Sequence, residues 1–141
     1  MIELINKQRR RHLQMDRWRE VAERALEALG TSDAGVTIAF VSDRSIQELN
    51  RRFREKNRPT DVLSFPSEQA PFEINQGRNL GDIVISVERA AAQAAEHGME
   101  FEDEISQLIL HGLIHLHGYD HETDDGEMNS LELKLREKLG L

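Results

Sequence analysis

The sequence predicts an α+β fold: a small mixed sheet of about four strands covered by helices, with a buried central helix that carries His111 and His115. Three observations lead there. Short β-rich apolar runs recur between stretches of helical periodicity. One helical stretch, Glu102 to His117, is apolar around nearly its whole circumference, which is the mark of a buried helix. The chain has 141 residues, the size of one domain. A chain that long buries roughly 68–70% of its unfolded surface. The expected organisation is a single domain over residues 1–141, without internal repeat or linker.

Taken in order, Ile2 to Asn6 reads as a short first strand. A helix follows from about Asp16 to Leu29, where Trp18, Val21, Ala22, Ala25, Leu26 and Leu29 make one apolar stripe and Gly30 stops it. Val36 to Val41 is a central strand. Ser42 or Asp43 caps a helix whose stripe is Ile46, Leu49 and Phe53. Trp18 and Phe53 both fall on such stripes, so core packing is expected of each rather than stacking on a nucleobase. Arg54 to Thr60 is a basic connection, ended by Pro59, which disfavours helix at Arg58. Asp61 to Phe65 is a strand stopped by Pro66. Ser67 to Asn79 reads as a flexible surface loop, and Gly81 to Ser86 as another strand. Val87 to His97 is an alanine-rich helix ended by Gly98. The last helix starts near Asp124, with Glu127 as a capping partner, and presents Met128, Leu131, Leu135 and Leu139.

No apolar run approaches the roughly 20 residues needed to span a bilayer. The basic N-terminal cluster is not followed by an apolar stretch of secretory type. There is no cysteine, which excludes disulfides and thiolate metal sites and fits a cytoplasmic protein. The net charge of −8 argues against non-specific nucleic-acid binding, and no membrane or DNA partner is expected. The distribution qualifies that sum. Lys and Arg are absent from Ala90 through Leu133, while positives gather at Arg9-Arg10-Arg11 and across Arg51 to Arg58. One face of an acidic protein is therefore suited to gripping a polyanion.

The stretch His111-Gly112-Leu113-Ile114-His115-Leu116-His117-Gly118-Tyr119-Asp120-His121 carries the chemistry. His111 and His115 are four apart, so both imidazoles share one helix face. Gly118 takes the positive φ that ends a helix and lets the chain bring His121 toward them. Three neutral imidazoles suit Zn²⁺ with a fourth position left open. His117 lies about 240° around the helix from His111 and is left out of the ligand set. The spacing His-x-x-x-His-x-x-Gly-x-x-His is shared with metzincin proteases, but their general base directly follows the first His. Here that residue is Gly112, which transfers no proton.

The full string HGLIHLHGYDH resembles the YbeY family of bacterial RNA-maturation endoribonucleases, whose pattern is H-G-x-L-H-L-x-G-Y-D-H; only Ile114 departs. Upstream, NRRFREKNRPTDVLSF over Asn50 to Phe65 looks like that family's second signature, and Gly81-Asp82-Ile83-Val84-Ile85 is also similar. The resemblance implies a cytoplasmic, zinc-dependent endoribonuclease specific for single strands. It implies ribosomal RNA as substrate, processing of the small-subunit RNA 3′ end, ribosome quality control, and the small ribosomal subunit as a partner. By match of position, His111, His115 and His121 are the ligands of one Zn²⁺ per chain. Arg54 matches the family's functional arginine.

Zinc on three imidazoles lowers the pKa of a bound water to about 7 and polarises a phosphoryl oxygen. Arg54 would clamp the scissile phosphate through its planar fork. Lys56 and Arg58 would hold flanking phosphates. Asp120 is either a partner that orients a histidine or a turn former, and Asp82 has the same two readings. Ser64 would satisfy backbone or touch phosphate. The attacking group is water or the RNA 2′-hydroxyl. Two other functions compete: a zinc hydrolase of a peptide or another phosphoester, and a non-catalytic ribosome- or RNA-binding factor with a structural metal. The last needs a fourth protein ligand, from His12, His97 or a carboxylate.

Overall fold

Four runs of strand-forming residues meet in one mixed sheet, ordered β1-β2-β4-β3, in a computed structural model that describes residues 1–68, 77–120 and 122–141. The elements are β1 (Ile2–Asn6), α1 (Met15–Ala28), β2 (Gly35–Val41), α2 (Asp43–Arg54), β3 (Val62–Pro66), β4 (Asn79–Ser86), α3 (Val87–His97), α4 (Phe101–Leu116) and α5 (Glu127–Leu139). The first two pairings, β1 with β2 and β2 with β4, are parallel. Strand β3 pairs antiparallel with β4, with Ser64 opposite Ile83, and forms one edge. This is the α+β architecture that the alternation of patterns predicts.

The two faces of the sheet are covered unequally. Val36, Ile38 and Phe40 of β2 and Ile83 and Ile85 of β4 join α1, α4 and α5 in the large core. Trp18 sits at its centre, fully buried, with its ring centre 5.2 Å from that of Phe40 and its indole N–H donated to Glu102 O at 3.2 Å. On the opposite face, a smaller cluster of Val41, Ile46, Leu63 and Val84 lies under α2. Helices α4 and α2 thus stand on opposite faces, and edge strand β3 runs between them.

Helix α4 lies close on the sheet because of one residue. A Cβ built on Gly112 would come within 2.9 Å of Ile83 Cδ1. The residue after His111 therefore faces β4 and not solvent. Any side chain there must displace Ile83, so a base at that position is sterically disfavoured as well as chemically absent.

Some boundaries differ from the sequence expectation. Strand β4 begins at Asn79, so that residue and Leu80 belong to the sheet. The loop expected over Ser67 to Asn79 falls largely on residues 69–76, outside the described residues. Helix α5 begins at Glu127, not Asp124. Asp124 nevertheless organises its start, since its carboxylate accepts from the N–H groups of Gly126 and Met128, both at 2.9 Å. Glu127 reaches back to Asp125 N at 2.6 Å. The expectation for Phe53 is overturned. It is 58% exposed, because the stripe that buries Ile46 continues beyond the small core as α2 runs out to its C-terminus. Among the described residues, no helix is long and apolar enough to cross a membrane.

Candidate active-site groove

A groove of about 860 Å³ runs over the edge of β3. Its walls include His111 and His115 from α4, Arg54 from α2, Lys56 and Arg58 from the connection, and Ser64 from β3. The sequence separates these residues by up to 61 positions, from Arg54 to His115; the sheet edge brings them together.

The histidine wall is rigid. Gly112, Leu113, Ile114 and Leu116 around it are buried. Gly118 stands at φ +96° and donates its N–H to His115 O at 2.9 Å, the helix stop its type predicts. His117 is turned away, as expected. Its Nδ1 lies 2.7 Å from Leu113 O and its Nε2 lies 2.8 Å from Thr31 Oγ1.

Sequence reasoning missed the residue that sets the His111 ring. Glu132 of α5 is buried, with its carboxylate 2.6 Å from His111 Nδ1 and 2.7 Å from an Arg136 guanidinium nitrogen. Burial works to raise the Glu132 carboxyl. The hydrogen bond from His111 and the charges of His111, Arg136 and His115 outweigh that and hold it below its ordinary value. An ionised carboxylate only accepts, so His111 Nδ1 carries the proton. In a neutral ring that leaves Nε2 as the nitrogen that could take a metal. The signal was present in the sequence: Glu132 falls on the stripe between Met128 and Leu135, where a lone charge implies a buried partner.

The imidazole pair fits a shared metal. Two imidazoles bound through nitrogen at about 2.0–2.1 Å to one tetrahedral ion hold their ring centres roughly 5 Å apart. Those of His111 and His115 are 5.0 Å apart and inclined at 73°. Among the described residues, no third His, Cys, Asp or Glu completes a metal-holding group with them. The third ligand expected from the sequence, His121, lies outside the described residues. Of the alternative fourth ligands, His12 is exposed, and His97 lies beside Glu104, 3.7 Å away, on an adjoining cavity that shares His111 with the groove.

The opposite wall is cationic. Arg54 ends α2, and its guanidinium donates to Ser64 O on the edge strand at 2.8 Å. The chain leaves the helix through Glu55 at φ +58°, the one non-glycine left-handed residue among those described. The connection that follows is clipped back onto α2. Asn50 Nδ2 donates to Arg58 O at 2.9 Å, and Gln47 Nε2 to Asn57 Oδ1 at 3.1 Å. Neither clip was read from the sequence, although a buried Asn on an apolar stripe is a recognisable sign of one. Asp120 shapes a turn: its carboxylate accepts from Glu122 N at 3.0 Å, and its carbonyl from Thr123 and Asp124. Asp82 is exposed and is not among the residues lining the groove. Ser64 is buried and directs its hydroxyl at Gly112 O, 3.5 Å away.

Imidazoles fixed on a buried helix and facing a guanidinium across an open groove make a site suited to a metal beside a phosphate, the layout of a metal-assisted phosphodiester hydrolase. The chain belongs to the endoribonuclease YbeY family, whose model matches residues 3–140. It is 39% identical over 137 residues to endoribonuclease YbeY of Geobacter metallireducens, covering 96% of this chain and 91% of that one. To endoribonuclease YbeY of Aquifex aeolicus it is 42% identical over 134 residues, covering 95% and 85%. A solution structure of a Thermotoga maritima protein superposes with a TM-score of 0.62 at 30% identity, covering 95% of this chain and 85% of that one.

Proposed function

We propose that this chain is a metal-dependent endoribonuclease that cuts single-stranded RNA in ribosomal RNA maturation. The finer reading is zinc as the metal, the 3′ end of the small-subunit RNA as the target, the small ribosomal subunit as the partner, and the cytoplasm as the place. The whole chain, residues 1–141, acts as one domain. The observation that carries the reading is the meeting of His111 and His115 with Arg54 in one groove, in a chain of this family.

In this reading His111, His115 and His121 hold one Zn²⁺, with His111 donating Nδ1–H to Glu132 and turning Nε2 to the ion. When bound, zinc supplies a Lewis acid for a phosphoryl oxygen and brings the pKa of water toward neutrality. The chain's own residues do the positioning. Arg54 has a planar fork of donors that matches two phosphate oxygens, and its tether to Ser64 O fixes the approach. Charge building on the non-bridging oxygens in the transition state is met by that fixed guanidinium. Lys56 and Arg58 line the same wall and receive the flanking phosphates. The peptidase alternative lacks a base, and a side chain at position 112 would have to displace Ile83.

The test is cleavage of a single-stranded RNA by purified protein beside a His115→Ala variant, with metal content measured on the same samples. Wild type is expected to cut, and the variant to lose metal and cutting together. Cutting that survives in His115→Ala at the wild-type rate would remove the metal centre from the reaction.

A further inference from the structure

We propose that Phe53 is a base-stacking platform, which takes the exposed face of an unpaired nucleobase next to the phosphate held at Arg54. The inference rests on the endoribonuclease reading above and deepens it by saying how the groove recognises an unpaired strand.

Three observations carry it. The first is exposure. Trp18 and Phe40 are fully buried and Phe101 nearly so, while Phe53 at 58% and Tyr119 at 38% are the exposed aromatic rings among the described residues. Tyr119 is on the groove, and Phe53 stands beside its cationic wall, joined to it through Phe65, over whose ring Arg54 lies. Phe53 precedes the lining residue Arg54 and packs T-shaped on Phe65, with ring centres 5.5 Å apart. An exposed phenyl is ordinary when it stands alone. One exposed ring on the groove and a second next to the groove residue Arg54, the two exposed rings among the described residues, are not a scatter.

The second is charge. Residues 51–58 hold five cations, Arg51, Arg52, Arg54, Lys56 and Arg58, against one acid, Glu55, in a chain of net charge −8. Arg51 is engaged with Glu48 at 2.6 Å, but Arg54, Lys56 and Arg58 line the groove, which Asp61, Asp120 and Glu122 also line. An aromatic ring set among backbone-tracking cations is the composition of a single-strand nucleic-acid surface.

The third is orientation. The Arg52 guanidinium stands over the Phe53 ring, 5.6 Å from its centre, and the Arg54 guanidinium over Phe65 at 5.9 Å. A planar cationic group already occupies the kind of position a base would take, on an exposed side chain that can move aside. Phe65 supports the platform from within and is itself half-buried on the small core. Because both faces of a base in a duplex are covered by its neighbours, such a platform accepts only an unstacked base. The ring thereby excludes duplex RNA without any hydrogen bond to a base edge.

The experiment is equilibrium binding of fluorescein-labelled single-stranded RNA octamers to the full-length, metal-loaded protein. It is run cold at fixed salt, with oligonucleotide integrity checked on a gel after each titration. Wild type, Phe53→Leu and Phe53→Trp are compared on an intact octamer and on a set in which each base in turn is removed. Leucine preserves the apolar contact with Phe65 but has no π-face, and thermal melting checks that the variants fold. The expected result is binding about 5- to 150-fold weaker for Phe53→Leu, the usual range for loss of one base–aromatic stack. Phe53→Trp should bind at least as tightly as wild type. In wild type, removal of one particular base should cost as much as the leucine substitution, and in Phe53→Leu that same removal should cost nothing more. If wild type binds single-stranded RNA and Phe53→Leu binds it equally well, or the two losses simply add at every position, the platform is overturned and the endoribonuclease reading stands. If wild type binds no single-stranded RNA, the reading of the groove falls and the platform with it.

Discussion

Helices α4 and α2 flank the same groove from opposite faces of the sheet, and they are built by opposite rules. Helix α4 is apolar on nearly every side and packs closely enough that any side chain at position 112 must displace Ile83. Its two groove residues are imidazoles on a closely packed shelf. Helix α2 buries Ile46 and Asn50, leaves the rest of its length partly or fully exposed, Phe53 included, and ends in Arg51, Arg52 and Arg54. Its groove residues are long cations on an exposed end. The difference matches the two tasks. Metal coordination tolerates errors of a few tenths of an ångström, so its ligands belong on a packed element. Contacts to flanking phosphates tolerate adjustment, which suits the exposed Lys56 and Arg58, while Arg54 is held by its bond to Ser64 O.

The sharpest way to break the comparison is Arg54→Ala. If α2 supplies transition-state charge and α4 supplies the metal, this variant keeps its full metal content and loses about 10²- to 10³-fold in kcat, the range seen when a fixed oxyanion donor is removed. Single-turnover cleavage with metal analysis reads both. Loss of metal in Arg54→Ala would mean that the two walls are not separate devices.

Gly112→Ala tests the packing half. One added methyl must push Ile83 or lift the helix, so unfolding in urea should show a stability loss of about 1–3 kcal/mol, typical of overpacking. An unchanged midpoint would show that α4 has slack and that the shelf is softer than its burial implies.

Glu132→Gln tests what holds the shelf's first ligand. The amide keeps the size of the carboxylate but loses the charge that fixes the His111 proton on Nδ1. Metal affinity should fall about 10- to 100-fold, as for other partners of ligand histidines, and the metal-free protein should melt lower as well, because the ion pair with Arg136 is lost. A direct titration with Zn²⁺ against a competing chelator measures it. Equal affinity in the variant would leave Glu132 a packing residue.

The same comparison explains what the sequence made legible. Helix α4 was readable because its signals are local: an apolar circumference, histidines four apart, and a glycine to stop it. The strands were readable one by one, but not their order, because a run of β-rich residues does not say which neighbour it pairs with. Phe53 was misread for a related reason. Periodicity at Ile46, Leu49 and Phe53 identifies a helix face, but not whether anything covers the far end of it. The groove itself depends on β3 being the edge strand, a property of the whole sheet that no stretch of sequence states. Glu132 and Asn50 left traces, as polar residues on apolar stripes, and both turn out to hold groove-lining segments in place.

The smallest expected effect is that of Lys56→Ala, and it separates a backbone-tracking cation from a catalytic one. Lys56 and Arg54 line one wall two residues apart. They differ in anchoring: Arg54 is tied to Ser64 O, while Lys56 sits in the connection whose end is held by Asn50. A cation that neutralises one phosphate contributes about 0.7 to the slope of log affinity against log salt for a single strand. Lys56→Ala should therefore lower RNA affinity a few-fold at moderate salt, reduce that slope by about 0.7, and leave metal content and single-turnover kcat at saturating RNA unchanged. Binding isotherms at four salt concentrations decide it. A reduced kcat at saturation would move Lys56 beside Arg54 in the chemistry. A slope equal to wild type would mean that the strand leaves the groove before reaching Lys56, and that the cationic wall is in effect Arg54 and Arg58.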